Sequence, residues 1–160
     1  MKKSFFVLSM LCAFISIRAQ NIVFSGTWVF SDQESISGNL YSNGSPKLIK
    51  IDQQADSIRL EKTTSGADGD MVSKETLPFD GRPVEGLTSS KKRKSMTILW
   101  SKDKKSFTET THVYDPADTT KIIFTYTDIY SLEGGQLVLQ RKAENFGNGE
   151  TWESKAVYEK

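Results

Sequence analysis

Hydrophobic and polar residues alternate with a period of two along most of the chain, the pattern of strands with one buried face. The first such run is Phe24-Ser25-Gly26-Thr27-Trp28-Val29-Phe30-Ser31. It sets Gly26, Trp28 and Phe30 on one face and Ser25, Thr27, Val29 and Ser31 on the other. A small residue two places before a large ring predicts a close backbone crossing that the indole covers. Ile49 and Ile51 then alternate with Lys50, and Ile58 and Leu60 with Arg59 and Glu61, with 53–56 as the hairpin connection. A weaker strand is predicted over 71–77, and Met96, Ile98 and Trp100 form the apolar face of a strand over 95–100. After a long strand at 106–114, Ile122, Phe124, Tyr126 and Tyr130 share a face with Asp128 among them. Leu137, Leu139 and Arg141 point one way from the next strand, and Trp152, Ser154, Ala156 and Tyr158 line the last.

Turn chemistry punctuates these runs at Asn43-Gly44, Asp80-Gly81 and Gly134-Gly135. Residues 32–46 are polar and glycine-bearing and are expected to form a loop, with room for a short helix. No other window repeats at helical spacing beyond residue 19. Nine or ten short strands joined mostly by short turns predict an all-β protein, a barrel or a sandwich. Sequential hairpin linkage favours a single antiparallel up-and-down β-barrel of about 8–10 strands.

Residues 1–19 change the picture of where the domain works. Lys2 and Lys3 precede an apolar run over 5–17 that only Ser9 and Ser16 interrupt, and Ala19 is a small residue at a plausible cut. The run is short for a bilayer span, so a cleaved signal peptide is expected, with the domain occupying 20–160. The protein is then exported, periplasmic or secreted, with no transmembrane segment in the mature chain. Lipid anchoring at Cys12 is disfavoured, because Leu11 precedes it and the apolar run continues past it. Cys12 is the only cysteine, so the domain is expected to fold without disulfides. Loss of Lys2, Lys3 and Arg18 leaves 18 basic residues against 20 acidic. That balance does not call for nucleic acid as a partner.

Candidate chemistry is sparse. His112 is the only histidine, so no metal set, no Cys-His pair and at most a lone Ser-His dyad can form, and neither metal nor cofactor is expected. The reading is of a non-enzyme. Asp128, on an otherwise aromatic face, is read as a strand-end carboxylate bonded to backbone. Lys91-Lys92-Arg93-Lys94 is read as a solvated loop that keeps a strand edge from pairing.

Several local signals fall into one order: Phe-Ser-Gly-Thr-Trp at 24–28, Ile-Asp-Gln at 51–53, Asp-Ser-Ile at 56–58, Phe-Asp-Gly-Arg at 79–82, Ser-Lys-Asp-Lys-Lys-Ser at 101–106, Leu-Glu-Gly-Gly-Gln-Leu at 132–137 and Ala-Val-Tyr-Glu-Lys at 156–160. This set resembles the secreted lipocalin-like (calycin-type) barrels common in Bacteroidota, over essentially the whole chain beyond residue 19. Gly26-x-Trp28 is similar to the first-strand signature of lipocalins, whose Thr-Asp-Tyr loop the chain lacks. The resemblance implies that Trp28 closes one end of the barrel with a basic residue from a late strand packed on it. Arg141 is the nearest match. Asp56-Ser57-Ile58 and Asp118-Thr119-Thr120 also resemble the O-glycosylation acceptor pattern of exported Bacteroidota proteins, which makes Ser57 and Thr119 candidate acceptors. The fold implies no activity, since such barrels are widely reused.

Trp28, Phe30, Trp100, Phe124, Tyr126, Trp152 and Tyr158 are assigned to inward faces, as a core beneath a small pocket. The expected function is non-enzymatic binding of a small, mostly apolar ligand inside the barrel. Trp100, Phe124, Tyr126 and Trp152 are its candidate wall, and Asp128 or Arg141 a polar contact. The alternative is an envelope structural or interaction protein whose barrel is filled and whose exposed apolar patch contacts a partner.

Overall fold

Each alternating run becomes a strand in the computed structural model, which describes residues 22–38 and 45–160. The expected signal peptide, Cys12 and the Asn43-Gly44 turn lie outside the described residues. The strands are β1 (Gly26–Ser37), β2 (Leu48–Gln53), β3 (Ser57–Gly66), β4 (Gly69–Pro78) and β5 (Val84–Leu87). They continue as β6 (Arg93–Trp100), β7 (Ser106–Tyr114), β8 (Ile122–Glu133), β9 (Gln136–Asn145) and β10 (Thr151–Glu159). All ten form one antiparallel sheet in the order β4-β3-β2-β1-β10-β9-β8-β7-β6-β5. Pairing of β1 with both β2 and β10 curls this meander into a barrel. No ladder joins the two ends of the sheet, β4 and β5, so the barrel is nearly closed, with one seam. Across that seam Lys94 of β6 donates to Glu75 of β4 at 2.6 Å.

β1 is longer than its hydrophobic pattern indicates. The polar stretch 32–37, expected as loop, continues the ladder against β10 after a register shift between Phe30 and Asp32. Backbone pairing with β10 supplies what the side chains do not advertise. Phe30 is a correction: 37 % of its surface is exposed, and its ring meets Tyr158 edge-on at 5.9 Å instead of entering the core.

From β6 to β10 the strand partners line up in rows that explain where the core ends. One row runs Trp100, Phe107, Tyr130, Leu139, Ala156, and it is apolar. The next is Ile98, Glu109, Asp128, Arg141, Ser154, and the one beyond it Met96, Thr111, Tyr126, Ala143, Trp152. The inward face therefore turns from apolar to charged at a single level. On β3 the same switch separates Ile58 and Leu60, fully buried, from Lys62.

The apolar half is closed and packed. Residues 22–25 cross the barrel end, where Gln53 Oε1 accepts from the Phe24 amide at 3.0 Å and Ser25 Oγ accepts from the Gln53 amide at 2.9 Å. Phe24 thus enters as a plug, fully buried, 4.9 Å edge-on from Phe107 and 5.7 Å from Trp100. Trp28 is buried beside it and its Nε1 donates to the Phe24 carbonyl at 2.9 Å. Gly26 has φ +154°, and a Cβ there would lie 3.1 Å from Lys160 Cε. Its bare backbone leaves room for Lys160 to lay its ammonium 5.0 Å from the Trp28 ring centre.

Lys160, not Arg141, is therefore the cation on the closing tryptophan. Position along the barrel is the reason. Tyr158, on the strand beside Trp28, pairs with Leu137 of β9, whereas Arg141 pairs with Ser154. Four residues of strand put Arg141 roughly 13 Å higher. It belongs to the charged row.

Candidate ligand-binding site

Above the apolar half the barrel holds a partly open cavity of about 460 Å³. One side is aromatic. Phe124 and Tyr126 lie two residues apart on β8, so they share a face, and their rings stack with centroids 4.8 Å apart and planes 23° apart. Tyr126 and Trp152 flank Ala143 in one row. The small residue between them lets the two rings meet at 6.5 Å and 67°.

The floor is ionic. Glu109 and Asp128 are directly opposed on β7 and β8, an arrangement that is unfavourable for like charges. Two cations neutralise them. Lys62 reaches across the barrel from β3 and donates to both oxygens of Glu109, at 2.9 and 2.7 Å. Tyr130 adds its hydroxyl to Glu109 Oε2 at 3.0 Å. Arg141 grips Asp128 with a fork, Nε to Oδ1 at 2.7 Å and Nη2 to Oδ2 at 2.5 Å, and its guanidinium stands 5.6 Å from the Tyr126 ring centre. Glu109 and Asp128 are each about 3 % exposed, so these pairs are screened little by solvent.

Burial works against ionisation of Asp128, but the Arg141 charge and its hydrogen bonds, with Lys62 nearby, win and hold the carboxyl below its usual 3.8. Burial likewise disfavours the Lys62 ammonium, and Glu109 and Asp128 outweigh it, raising Lys62 above 10.5. Tyr130 is pushed well above 10.0 by burial and by the Glu109 charge. A depressed carboxylate stabilises the fold above its unfolded value and loses that contribution as pH falls through the folded one. A raised lysine or tyrosine gives the mirror case, with loss beginning as pH rises past about 10. The charged floor is thus expected to hold stability level between about pH 4 and 10, with loss on both sides. Denaturation midpoints across pH check this. A midpoint that falls between pH 6 and 9 contradicts it.

The structure brings Phe124, Tyr126, Asp128, Arg141 and Trp152 to this one cavity. Trp100 is not there. It sits at the closed end among Phe24, Phe79 and Phe107, with centroid distances of 5.7, 5.3 and 5.6 Å. Asp128 is a mid-strand residue held by Arg141, not a strand-end acid bonded to backbone. Lys94 of the basic tetrad turns inward and lines the cavity, while Arg93 pairs with Glu85 on the outside. Lys62, Glu75 and Glu109 are not among the residues singled out in the sequence, and Lys94 is read there as part of a solvated loop. Their signal was parity: each lies two residues from a buried apolar position on the same strand, namely Leu60, Leu77, Met96 and Phe107. His112, on the opposite face of β7, shares a hydrogen bond with Thr125 Oγ1 at 3.0 Å. Among the described residues no group of three or more potential ligands is placed to hold a metal. A groove of about 600 Å³ along the seam shares Lys62, Ser73, Glu75 and Lys94 with the cavity.

The sequence matches no protein-family model and no curated protein. Solved structures do match. An abundant heat soluble (SAHS) protein from Ramazzottius varieornatus aligns with TM-score 0.57 and 14 % identity, over 86 % of this chain and 94 % of that one. The zebrafish ileal bile-acid-binding protein, complexed with cholic acid, aligns with TM-score 0.52 and 18 % identity, over 86 % and 98 %. The fatty-acid-binding protein of Manduca sexta gives 0.50 and 15 %, over 85 % and 98 %. At these identities the likeness is one of fold: the chain is an all-β, ten-stranded, nearly closed antiparallel barrel, similar in fold to these three proteins.

Proposed function

We propose that the protein is a non-enzymatic binder of one small amphipathic molecule, held in the upper half of the barrel. The observation that carries this reading is the 460 Å³ cavity, with its stacked Phe124–Tyr126 wall standing directly above a floor of buried ion pairs. The volume falls within the usual range for small-molecule sites. The ligand expected from the sequence, mostly apolar with a polar contact at Asp128 or Arg141, meets here an aromatic wall and several charged groups. The lining of this cavity sets charged groups beside aromatic rings, so a ligand with a polar head and a body that covers the rings suits it. Two solved barrels of similar fold carry fatty-acid-binding and bile-acid-binding in their names, which supports the class of function without naming the ligand. A filled barrel, as the interaction-protein alternative requires, is hard to reconcile with this cavity.

Phe124→Ala is expected to weaken binding of a medium-chain amphiphile by about tenfold, while the unfolding free energy drops by less than the 3–5 kcal/mol of a fully buried ring. Phe124 is only half-buried. Fluorescence titration and chemical denaturation of the same variant measure both. Unchanged affinity with large destabilisation contradicts the assignment. The basic start and apolar run of residues 1–19 support export of this binder, and N-terminal sequencing of the exported form, expected to begin at Gln20, tests that.

A further inference from the structure

We infer that the head group of the ligand is a protonated amine, not a carboxylate. The inference rests on the binding function proposed above and specifies the charge of its ligand. Every cation facing the cavity is already matched: Lys62 to Glu109, Arg141 to Asp128, Lys94 to Glu75. A carboxylate ligand adds a further acid to a lining in which each cation already serves one. The acids, by contrast, are in excess. Glu150 is a fourth lining carboxylate against three cations.

Glu75 adds a specific acceptor. Its Oε1 takes the Lys94 ammonium at 2.6 Å, and its Oε2 has no hydrogen-bond partner among the described residues, although the side chain is only 8 % exposed. A buried carboxylate oxygen without a donor is costly. Glu75 lines the cavity, and a turn of its side chain brings that oxygen to an entering ammonium. The aromatic wall suits the same head group, because the faces of Phe124, Tyr126 and Trp152 attract a cation and are indifferent to an anion at best. Arg141, 5.6 Å over Tyr126, already uses the wall in this way. Donor and charge thus point in one direction.

The test compares three probes that share a chain and differ in head group: decylamine, 1-decanol and decanoate, titrated into the intact protein at neutral pH and low salt. Decylamine is expected to bind on the order of tenfold more tightly than decanoate, with decanol between them. Its advantage over decanol should shrink as salt is added. Glu75→Gln, which keeps the shape and removes the charge, should erase most of the amine's lead over the alcohol. Decanoate binding as tightly as decylamine, or decanol binding more tightly than decylamine, overturns the inference. So does an amine preference that Glu75→Gln leaves intact. Failure of all three probes to saturate would instead count against the binding function itself, so the two failures are distinguishable.

Discussion

Asp128→Ala is expected to lower the unfolding free energy by about 3–5 kcal/mol, because it removes the carboxylate that the buried Arg141 guanidinium grips in its fork. Both Arg141 hydrogen bonds to Asp128 disappear together, and the opposed Glu109 cannot take them up, since Lys62 and Tyr130 already hold it. The informative comparison is the double substitution Asp128→Leu with Arg141→Met. Replacing a whole buried pair by apolar groups of similar size is often neutral or stabilising. Urea denaturation of both variants measures this. A single variant within about 1 kcal/mol of the wild type would show the pair to be solvated and its burial to be misjudged. A double variant that is stable but no longer binds amphiphiles would show why the ions are there. Such a result would mean that the ions serve binding and not stability.

Trp28→Ala should cost about as much, roughly 3–5 kcal/mol, for a different reason. The indole is buried at the closed end, bonded to the Phe24 carbonyl and covered by Lys160. Its removal leaves a cavity and frees the plug formed by residues 22–25. Ligand affinity should change little, because the site lies at the other end of the barrel. Thermal melts together with a binding titration separate the two effects. Loss of binding at a temperature where the variant remains folded contradicts the division of the barrel into a packed half and a binding half.

That division shows what alternation could and could not reveal. The strands were legible because period two needs only a buried and an exposed face, and β6 to β10 present both clearly. β1 beyond Ser31 was not, because its polar side chains give no alternation while its backbone still pairs with β10. The aromatic side of the site was legible in Phe124, Tyr126 and Trp152 as rings at inward parity. Trp100 has the same parity but faces the other half, since parity assigns a side of the sheet and says nothing of height along the barrel. Height depends on register. The same limit paired Trp28 with Arg141 when strand partnership puts Lys160 on the indole and gives Arg141 to Asp128. Lys62 and Glu109 come from strands that are not neighbours and meet only through the barrel interior, so no local pattern could join them.

The most direct measurement is native mass spectrometry of the protein with decylamine, run beside the Thr111→Trp variant. Thr111 is half-buried, lines the cavity and stands in the Tyr126 row, so an indole there occupies the ligand's place. Circular dichroism of the variant confirms that the barrel is intact. The expected result is one ligand per chain for the wild type, saturable at low micromolar to millimolar concentration, and none for Thr111→Trp. Equal ligand occupancy in the two proteins, or no saturable occupancy in the wild type, would contradict a binding site inside the upper barrel.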